Sequence, residues 1–471
     1  MPTRDTERGS LMRVLLVSTY ELGHQPVHVA SPAAALVHRG HEVRCIDTAV
    51  DPWDPTVLDD VDAVAISVPM HTAMRLGLRI AESVRARRPH LPLALYGLYA
   101  GVAANDTLGR LADRLITGEY ETALGDWVEQ HDADRITYLH REPTRVPRRG
   151  LLPPLDRYAR LSVDGAEHLA AAVEATHGCS SRCRHCPVPA VYNGRTRIVA
   201  PDVVLGDITQ LVDRGARHVT YADADFFSAP HHSLRIVRAV HSRFPHLTFD
   251  VTTKVEHVLR HRRRWEELAS LGCLFVTTAV ECVDDDILAI LDKGHTAADA
   301  AEAIDVLRGA GIEPHPTLLP FTPWTTLDGL ADLVEFAVAH DVVGTIEPVH
   351  WTLRLLVPDG SLLLDHPALA PHFDRYDPDA LGWRWTAADR RVDDLQRHLA
   401  ALVDRHATAG TDPLDTFAEI AATVGAAAGR TLPTAARSRG GRPRLTETWF
   451  CCAEPTCEQM SAAGGPTPPA S

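Results

Sequence analysis

The sequence predicts an α/β protein: a doubly wound parallel sheet, then a partial six-unit (βα) barrel, then a helical C-terminal extension. Three observations carry this. Short apolar runs alternate with helix-length segments from residue 11 to about residue 357, the pattern of parallel strands joined by crossover helices. A stretch rich in proline and charge, residues 133–170 with Pro143, Pro147, Pro153 and Pro154, divides the alternation into two blocks. Beyond residue 357 the alternation stops and two amphipathic helical stretches follow.

In the first block, 11–132, apolar runs at 13–18, 42–46, 63–67, 92–96 and 112–116 read as strands. Residues 32–39, ended by Gly40, 73–87 and 120–130 read as the helices between and after them. Ligands of such a sheet are expected beyond its C-terminal strand ends. In the second block, 171–357, strands are expected at 171–176, 218–222, 248–252, 274–279, 313–318 and 345–349. Helices are expected at 201–214, 233–244, 265–271, 297–310 and 326–340. The extension, 358–471, holds helical stretches at 389–405 and 413–427, a loose Arg- and Gly-rich stretch at 430–444, and a cysteine-rich tail. In parallel barrels chemistry gathers at the C-terminal strand ends. Those positions carry a cysteine loop after the first strand, Asp223 and Asp225 after the second, Lys254 after the third, Glu281 after the fourth, Thr322 and Trp324 after the fifth and His350 after the sixth.

A net charge of −15 argues against a nucleic-acid-binding body, which needs clustered Lys and Arg. No apolar run is long enough for a membrane span, and residues 1–10 lack the apolar core of a secretory leader, so a cytoplasmic protein is expected. Six of the nine cysteines fall in two clusters of three, which in that compartment favours metal or redox work over disulfides.

The first cluster is Cys179-Ser-Ser-Arg-Cys183-Arg-His-Cys186, a C-x₃-C-x₂-C run directly after a strand. Three thiolates on a tight loop can hold a 4Fe–4S cluster by three irons and leave the fourth open to a small chelating ligand. A zinc site completed by His177 or His185 is the alternative.

This run resembles the signature of the radical S-adenosylmethionine (SAM) superfamily. The resemblance implies that Cys179, Cys183 and Cys186 bind the cluster, that SAM chelates the fourth iron, and that its reductive cleavage gives a 5′-deoxyadenosyl radical. A small electron-transfer protein such as flavodoxin or ferredoxin would supply the electron, and a small molecule would be the substrate. His185 stands where relatives carry an aromatic residue flanking SAM. Glu281 stands where they hold the SAM ribose, and Asp223 and Asp225 where they touch its amino group; acids in such places also serve as helix N-caps. Lys254, His295 and Arg354 are further candidates for the SAM carboxylate or the substrate.

The first block looks like the cobalamin-binding domain that precedes many radical SAM barrels, through Val14–Val17, the Gly97–Gly101 turn and Gly118-Glu119. Cobalamin is therefore a candidate cofactor, with His24 and His71 as candidate neighbours. The D-x-H-x-x-G motif that supplies a cobalt-ligating histidine is absent.

The second cluster, Cys451-Cys452-Ala-Glu-Pro-Thr-Cys457, resembles the tail of a radical SAM group named for Cys-Cys-Ala-Glu-Pro, some members of which carry selenocysteine at the second position. That exchange implies that Cys452 is a nucleophile, redox centre or soft-atom ligand. Cys451, Cys452 and Cys457 are accordingly candidate catalytic groups on a tail folded over the barrel mouth, with a thiol- or arsenic-containing molecule as one substrate class. The competing reading is a non-catalytic Fe–S or thiol protein that senses redox state or metal.

Overall fold

The computed structural model describes residues 11–102, 107–130, 136–141, 143–434 and 441–464. Residues 1–10, on which the leader reading rests, lie outside this set. The chain divides into two compact units. The first gathers the chain up to Glu21, Pro26–Pro153 and the chain from Pro455 on; the second gathers Leu22–Gln25 and Pro154–Glu454.

The first unit is built on strands β1 (Arg13–Ser18), β2 (Glu42–Asp47), β3 (Ala63–Ser67), β4 (Leu93–Tyr96), β5 (Arg114–Gly118) and β6 (Thr137–Tyr138). They form one sheet in the order β2-β1-β3-β4-β5-β6, every pair parallel. The order reverses between β1 and β3, which places the crevice of a doubly wound sheet at their C-terminal ends. Val14, Leu16, Ala65, Ala94 and Ile116 pack against Val29, Ala30, Ala33 and Leu36 of the helix Val27–His38. That helix starts earlier than expected because Pro32 lies inside it rather than at its first turn. Proline cannot donate to the carbonyl four residues back; the freed carbonyl of His28 instead accepts the Tyr96 hydroxyl at 2.8 Å.

The second unit contains β7 (Arg160–Val163), β8 (Ala166–Val173), β9 (Thr176–Gly178), β10 (Thr196–Ile198), β11 (His218–Tyr221), β12 (Thr248–Thr253), β13 (Cys273–Glu281) and β14 (Glu313–Leu318). Its extension adds the hairpin β15 (Phe373–Asp377) and β16 (Gly382–Trp385), the helices Arg390–Ala409 and Pro413–Ala428, and β17 (Arg444–Leu445). The main sheet runs β14-β13-β12-β11-β8-β7-β17. Its strands from β8 to β14 are parallel, and β7 and β17 add an antiparallel edge.

Two expectations are corrected here. The stretch 133–170 is not all connector: β6, β7 and the start of β8 lie in it, the last two joined by Asp164-Gly165 with φ of 49° and 78°. Two consecutive positive φ values at an Asp-Gly pair make the tight turn that closes a hairpin. The expected sixth strand at 345–349 is instead 3₁₀ turns at Val343–Thr345 and Pro348–Thr352. Pro348 cannot donate to a ladder, and the sixth unit is reduced to a single parallel bridge between Phe321 and Arg354.

Candidate active site

The cysteine loop leaves the barrel from β9. Asp223, just beyond β11, accepts from the Ala175 N–H and the Thr176 hydroxyl, both at 2.7 Å, and so fixes the entry to the loop. Gly178 has φ +74°, and a Cβ there would lie 2.4 Å from the Arg195 carbonyl, so only glycine lets β9 and β10 close around it. On the far side Arg184 donates its backbone N–H to Leu291 (2.9 Å) and its guanidinium to the carbonyls of Ala289 (3.1 Å) and Ile290 (2.8 Å), at the end of the helix Asp285–Ile290. The loop is thus tied to the elements after the first, second and fourth barrel strands.

Cys179, Cys183 and Cys186 are all free thiols, the first two buried. The Cys179 sulfur accepts from the Ser181 N–H at 3.4 Å and the Ser228 hydroxyl at 3.5 Å. Burial, with a contribution from Asp225, raises the Cys179 pKa, and burial pushes Cys186 up to about 12. Metal binding replaces such protons outright. Among the described residues no three His, Cys, Asp or Glu side chains close around a single ion. Three cysteine thiols on one loop are the kind of donor set that a cluster takes at three of its corners. Neither histidine offered for zinc completes a tetrahedron: His177 Nε2 faces Glu174 at 3.5 Å and His185 Nε2 faces Glu281 at 3.2 Å.

Glu281 ends β13 with φ +66°, at a register shift against β14. Its carboxylate accepts from Lys293 Nζ at 2.8 Å while His185 lies on its other side. Burial alone would raise its pKa, but Lys293 and His185 outweigh it and hold the carboxyl well below the usual carboxylate range. Lys293 is itself buried; burial pulls its pKa down and Glu281 more than restores it. Lys293 was not singled out from the sequence, although its neighbour His295 was. The available signal was a lysine between apolar helices, since a lysine closed off from water requires an acid.

Other candidates fall into two groups. His295 and His350 are buried near Glu281, and burial lowers each imidazole to about 4. The structure does not bring Asp225 or Arg354 to this group. Asp225 caps the turn Phe226–Ser228 and is engaged by Phe227 N–H (2.9 Å), the Thr253 hydroxyl (2.8 Å) and His257 Nδ1 (3.1 Å). Arg354 donates to Asp393 and to the Trp385 carbonyl, both at 2.6 Å, and lies 3.5 Å over the Trp385 ring, a strut between barrel and extension. Lys254 pairs with Glu256 at 3.3 Å and Trp324 donates to the Ala368 carbonyl at 3.0 Å.

The barrel sheet has two unlike faces. Register pairs His218 with Thr248, Thr220 with Asp250, Thr252 and His315 with Thr277, and Thr317 with Ala279, so these side chains share one face. The opposite face carries Val173, Val219, Tyr221, Val251, Val276 and Val280, all in a hydrophobic core. A parallel strand covered on both sides is apolar on both; a face of threonine, histidine and aspartate is therefore not packed by a second core. On it Thr220, Thr252, Thr277, His315 and Thr317 are half-buried. His218 and Asp250 close its N-terminal end, with the imidazole 2.9 Å from the carboxylate.

The tail is anchored by β17 on β7 and by the Thr446 N–H to the Arg160 carbonyl, 2.8 Å. Trp449 and Phe450 then pack on the core that holds Leu318, Phe321 and Val349, and Phe450 lies 4.3 Å from the His350 ring. A turn closed by the Ala453 N–H to the Phe450 carbonyl, 3.1 Å, sets the Cys451 and Cys452 sulfurs 3.6 Å apart. Cys457 is exposed and opens the helix Cys457–Ala462 of the first unit.

Residues 173–337 match the sequence profile of the Radical SAM superfamily. The chain is 21% identical over 326 residues to the hopanoid C-3 methylase of Methylococcus capsulatus, covering 64% of this chain and 62% of that protein. It is 29% identical over 171 residues to the tRNA-2-methylthio-N(6)-dimethylallyladenosine synthase of Mannheimia succiniciproducens, covering 33% of this chain and 35% of that one. The chain thus spans about a third to three fifths of these relatives. Among solved structures it is similar to the cobalamin-dependent radical SAM enzyme OxsB with aqua-cobalamin and SAM bound, with TM-score 0.67 and 13% identity over 84% of this chain and 67% of that one. It is also similar to the radical SAM methyltransferase TsrM of Kitasatospora setae, with TM-score 0.58 and 18% identity over 75% of each chain. These two likenesses show a shared fold. The three-cysteine loop thus lies on a partial barrel within the stretch, residues 173–337, that matches the Radical SAM superfamily profile.

Proposed function

We propose that this chain is a radical SAM enzyme that binds cobalamin through its first unit and acts on a polar small molecule within its barrel. The reduced cluster, when bound, supplies the electron that splits SAM. Cys179, Cys183 and Cys186 hold that cluster, and the Asp223 and Arg184 contacts keep their loop in place. Glu281, kept ionised by Lys293 and His185, accepts hydroxyl hydrogens of the SAM ribose, and His185 flanks SAM. The electron comes from a low-potential donor such as a flavodoxin or ferredoxin.

The observation that carries the substrate reading is the polar sheet face of Thr220, Thr252, Thr277, His315 and Thr317. Thr220 donates to Asp250 at 2.6 Å, and a half-buried face of hydroxyls suits a hydrogen-bonding substrate better than an apolar one. Cobalamin is supported by the two solved structures and by the first unit's crevice between β1 and β3. Ser18 and Ser67 end these strands, and the Ser18 hydroxyl is buried with no partner among the described residues. The glycines there have another reason: a Cβ at Gly97 would meet the Val68 backbone at 3.0 Å, and one at Gly118 the Tyr138 carbonyl at 2.0 Å. Ser18 and Ser67 are the residues that would line the cofactor's tail.

Anaerobic reconstitution with iron, sulfide and hydroxocobalamin tests the cofactor part: retention of a corrinoid spectrum through gel filtration is expected, and its loss would remove cobalamin. For the substrate, reduced enzyme with SAM is incubated with polar and lipid fractions of a cell extract. A SAM-dependent mass change in the polar fraction is expected; a change confined to the lipid fraction contradicts the reading.

A further inference from the structure

The tail leaves one feature unexplained by cluster and SAM binding. Two adjacent thiols, 3.6 Å apart, sit on a turn fixed by Phe450 against His350 and by Ala453 in the core at the C-terminal end of β14. The Glu281 carboxylate lies 3.2 Å from His185, next to Cys186, and its charge also acts on Cys452. Adjacent cysteines do not make a restful structural bridge, because their Cα atoms are about 3.8 Å apart, closer than disulfides prefer. A bond closed under such strain is easily reopened by a dithiol.

We infer that Cys452 is a hydrogen-atom donor to carbon radicals formed in the barrel, and that Cys451 takes up the resulting oxidation as its disulfide partner. This rests on the radical reading above. The hydrogen bond with Cys451, burial and the Glu281 charge all push the Cys452 thiol well above its ordinary pKa. A hydrogen-atom donor has to keep its S–H bond, and a buried thiol set 3.6 Å from a second thiol keeps it.

The Cys452 S–H bond breaks and a C–H bond forms at the radical carbon, leaving a thiyl. Cys451 releases its proton and its sulfur bonds to the thiyl, giving a disulfide radical anion. Loss of one electron leaves the Cys451–Cys452 disulfide; a cluster held by Cys179, Cys183 and Cys186, once it had given its electron to SAM, would be the one-electron acceptor. Without other substrate the sum is SAM plus dithiol giving methionine, 5′-deoxyadenosine, disulfide and one proton. A dithiol reductant restores the pair.

The test needs no identified substrate. Reconstituted full-length protein is incubated anaerobically in D₂O with SAM and dithionite, without added thiol. Its 5′-deoxyadenosine is analysed for deuterium and its cysteines by differential alkylation and peptide mass spectrometry. The expected product carries one deuterium, with protection from alkylation confined to Cys451 and Cys452. Cys452→Ser is expected to lose that deuterium, and Cys451→Ser to keep it without forming the disulfide. Wild-type 5′-deoxyadenosine free of deuterium, with both thiols still alkylated, overturns this inference while leaving the radical reading intact. Absence of 5′-deoxyadenosine from the wild type overturns both.

Discussion

Asp223 and Lys293 show how much rests on single buried charges. Burial raises the Asp223 pKa from 3.8 to about 6, against the pull of its Thr176 and Ala175 hydrogen bonds. A carboxyl whose folded pKa lies above its unfolded one favours folding when protonated, so the stability it contributes is full below about pH 4 and is lost as pH rises through about 6. The shift corresponds to about 3 kcal/mol. Asp223→Asn is expected to flatten this slope: the difference in urea midpoint between the two proteins should change between pH 4 and pH 7, and parallel curves would contradict the assignment. Lys293→Met leaves Glu281 buried without its ammonium partner, and a loss of about 3–5 kcal/mol is expected. Lys293→Met with Glu281→Gln should cost clearly less than the sum of the single changes in the same assay. Asp223 and Glu281 were legible in the sequence because they follow strand ends. Lys293 was not, because its importance comes only from the turn that folds it under Glu281.

At the level of elements, the parallel strands were legible wherever an apolar run was short and bounded, as in β1, β3 and β14. What escaped were elements made by pairing rather than by composition. β7 and β8 hide in a charged, proline-bearing stretch, and only the Asp164-Gly165 turn signalled them. The expected sixth strand failed on Pro348, which forbids a ladder however apolar its neighbours are. For Arg354 and Asp225 spacing gave the place near strand ends but not the tertiary partners, Asp393 and Trp385 for one and Thr253 and His257 for the other. The β9–β10 pair matters most for chemistry, because it sets the start of the cysteine loop. Gly178→Ala would force a Cβ against the Arg195 carbonyl in a left-handed conformation, at an expected cost of about 1–3 kcal/mol. Iron bound per chain after reconstitution should fall well below wild type, and an unchanged iron content would show that the loop does not depend on this pairing.

For the whole molecule, the sequence carried the division into a doubly wound sheet, a partial barrel and a cysteine-bearing tail, since alternation and clustering survive without tertiary information. It did not carry the contrast between the two barrel faces, which appears only once register aligns Thr252, Thr277 and His315 across neighbouring strands. Nor did it separate Cys451 and Cys452, placed over the barrel's C-terminal end, from Cys457 on the first unit's last helix. The central claim is that three thiols hold a cluster with one corner free for SAM. It is tested most directly by reducing the anaerobically reconstituted protein with dithionite, adding SAM, and measuring 5′-deoxyadenosine beside iron content. The account expects close to four irons per chain and 5′-deoxyadenosine formation that disappears when Cys183 is changed to alanine. Iron-loaded protein that leaves SAM intact, or equal product from the Cys183→Ala protein, would contradict it.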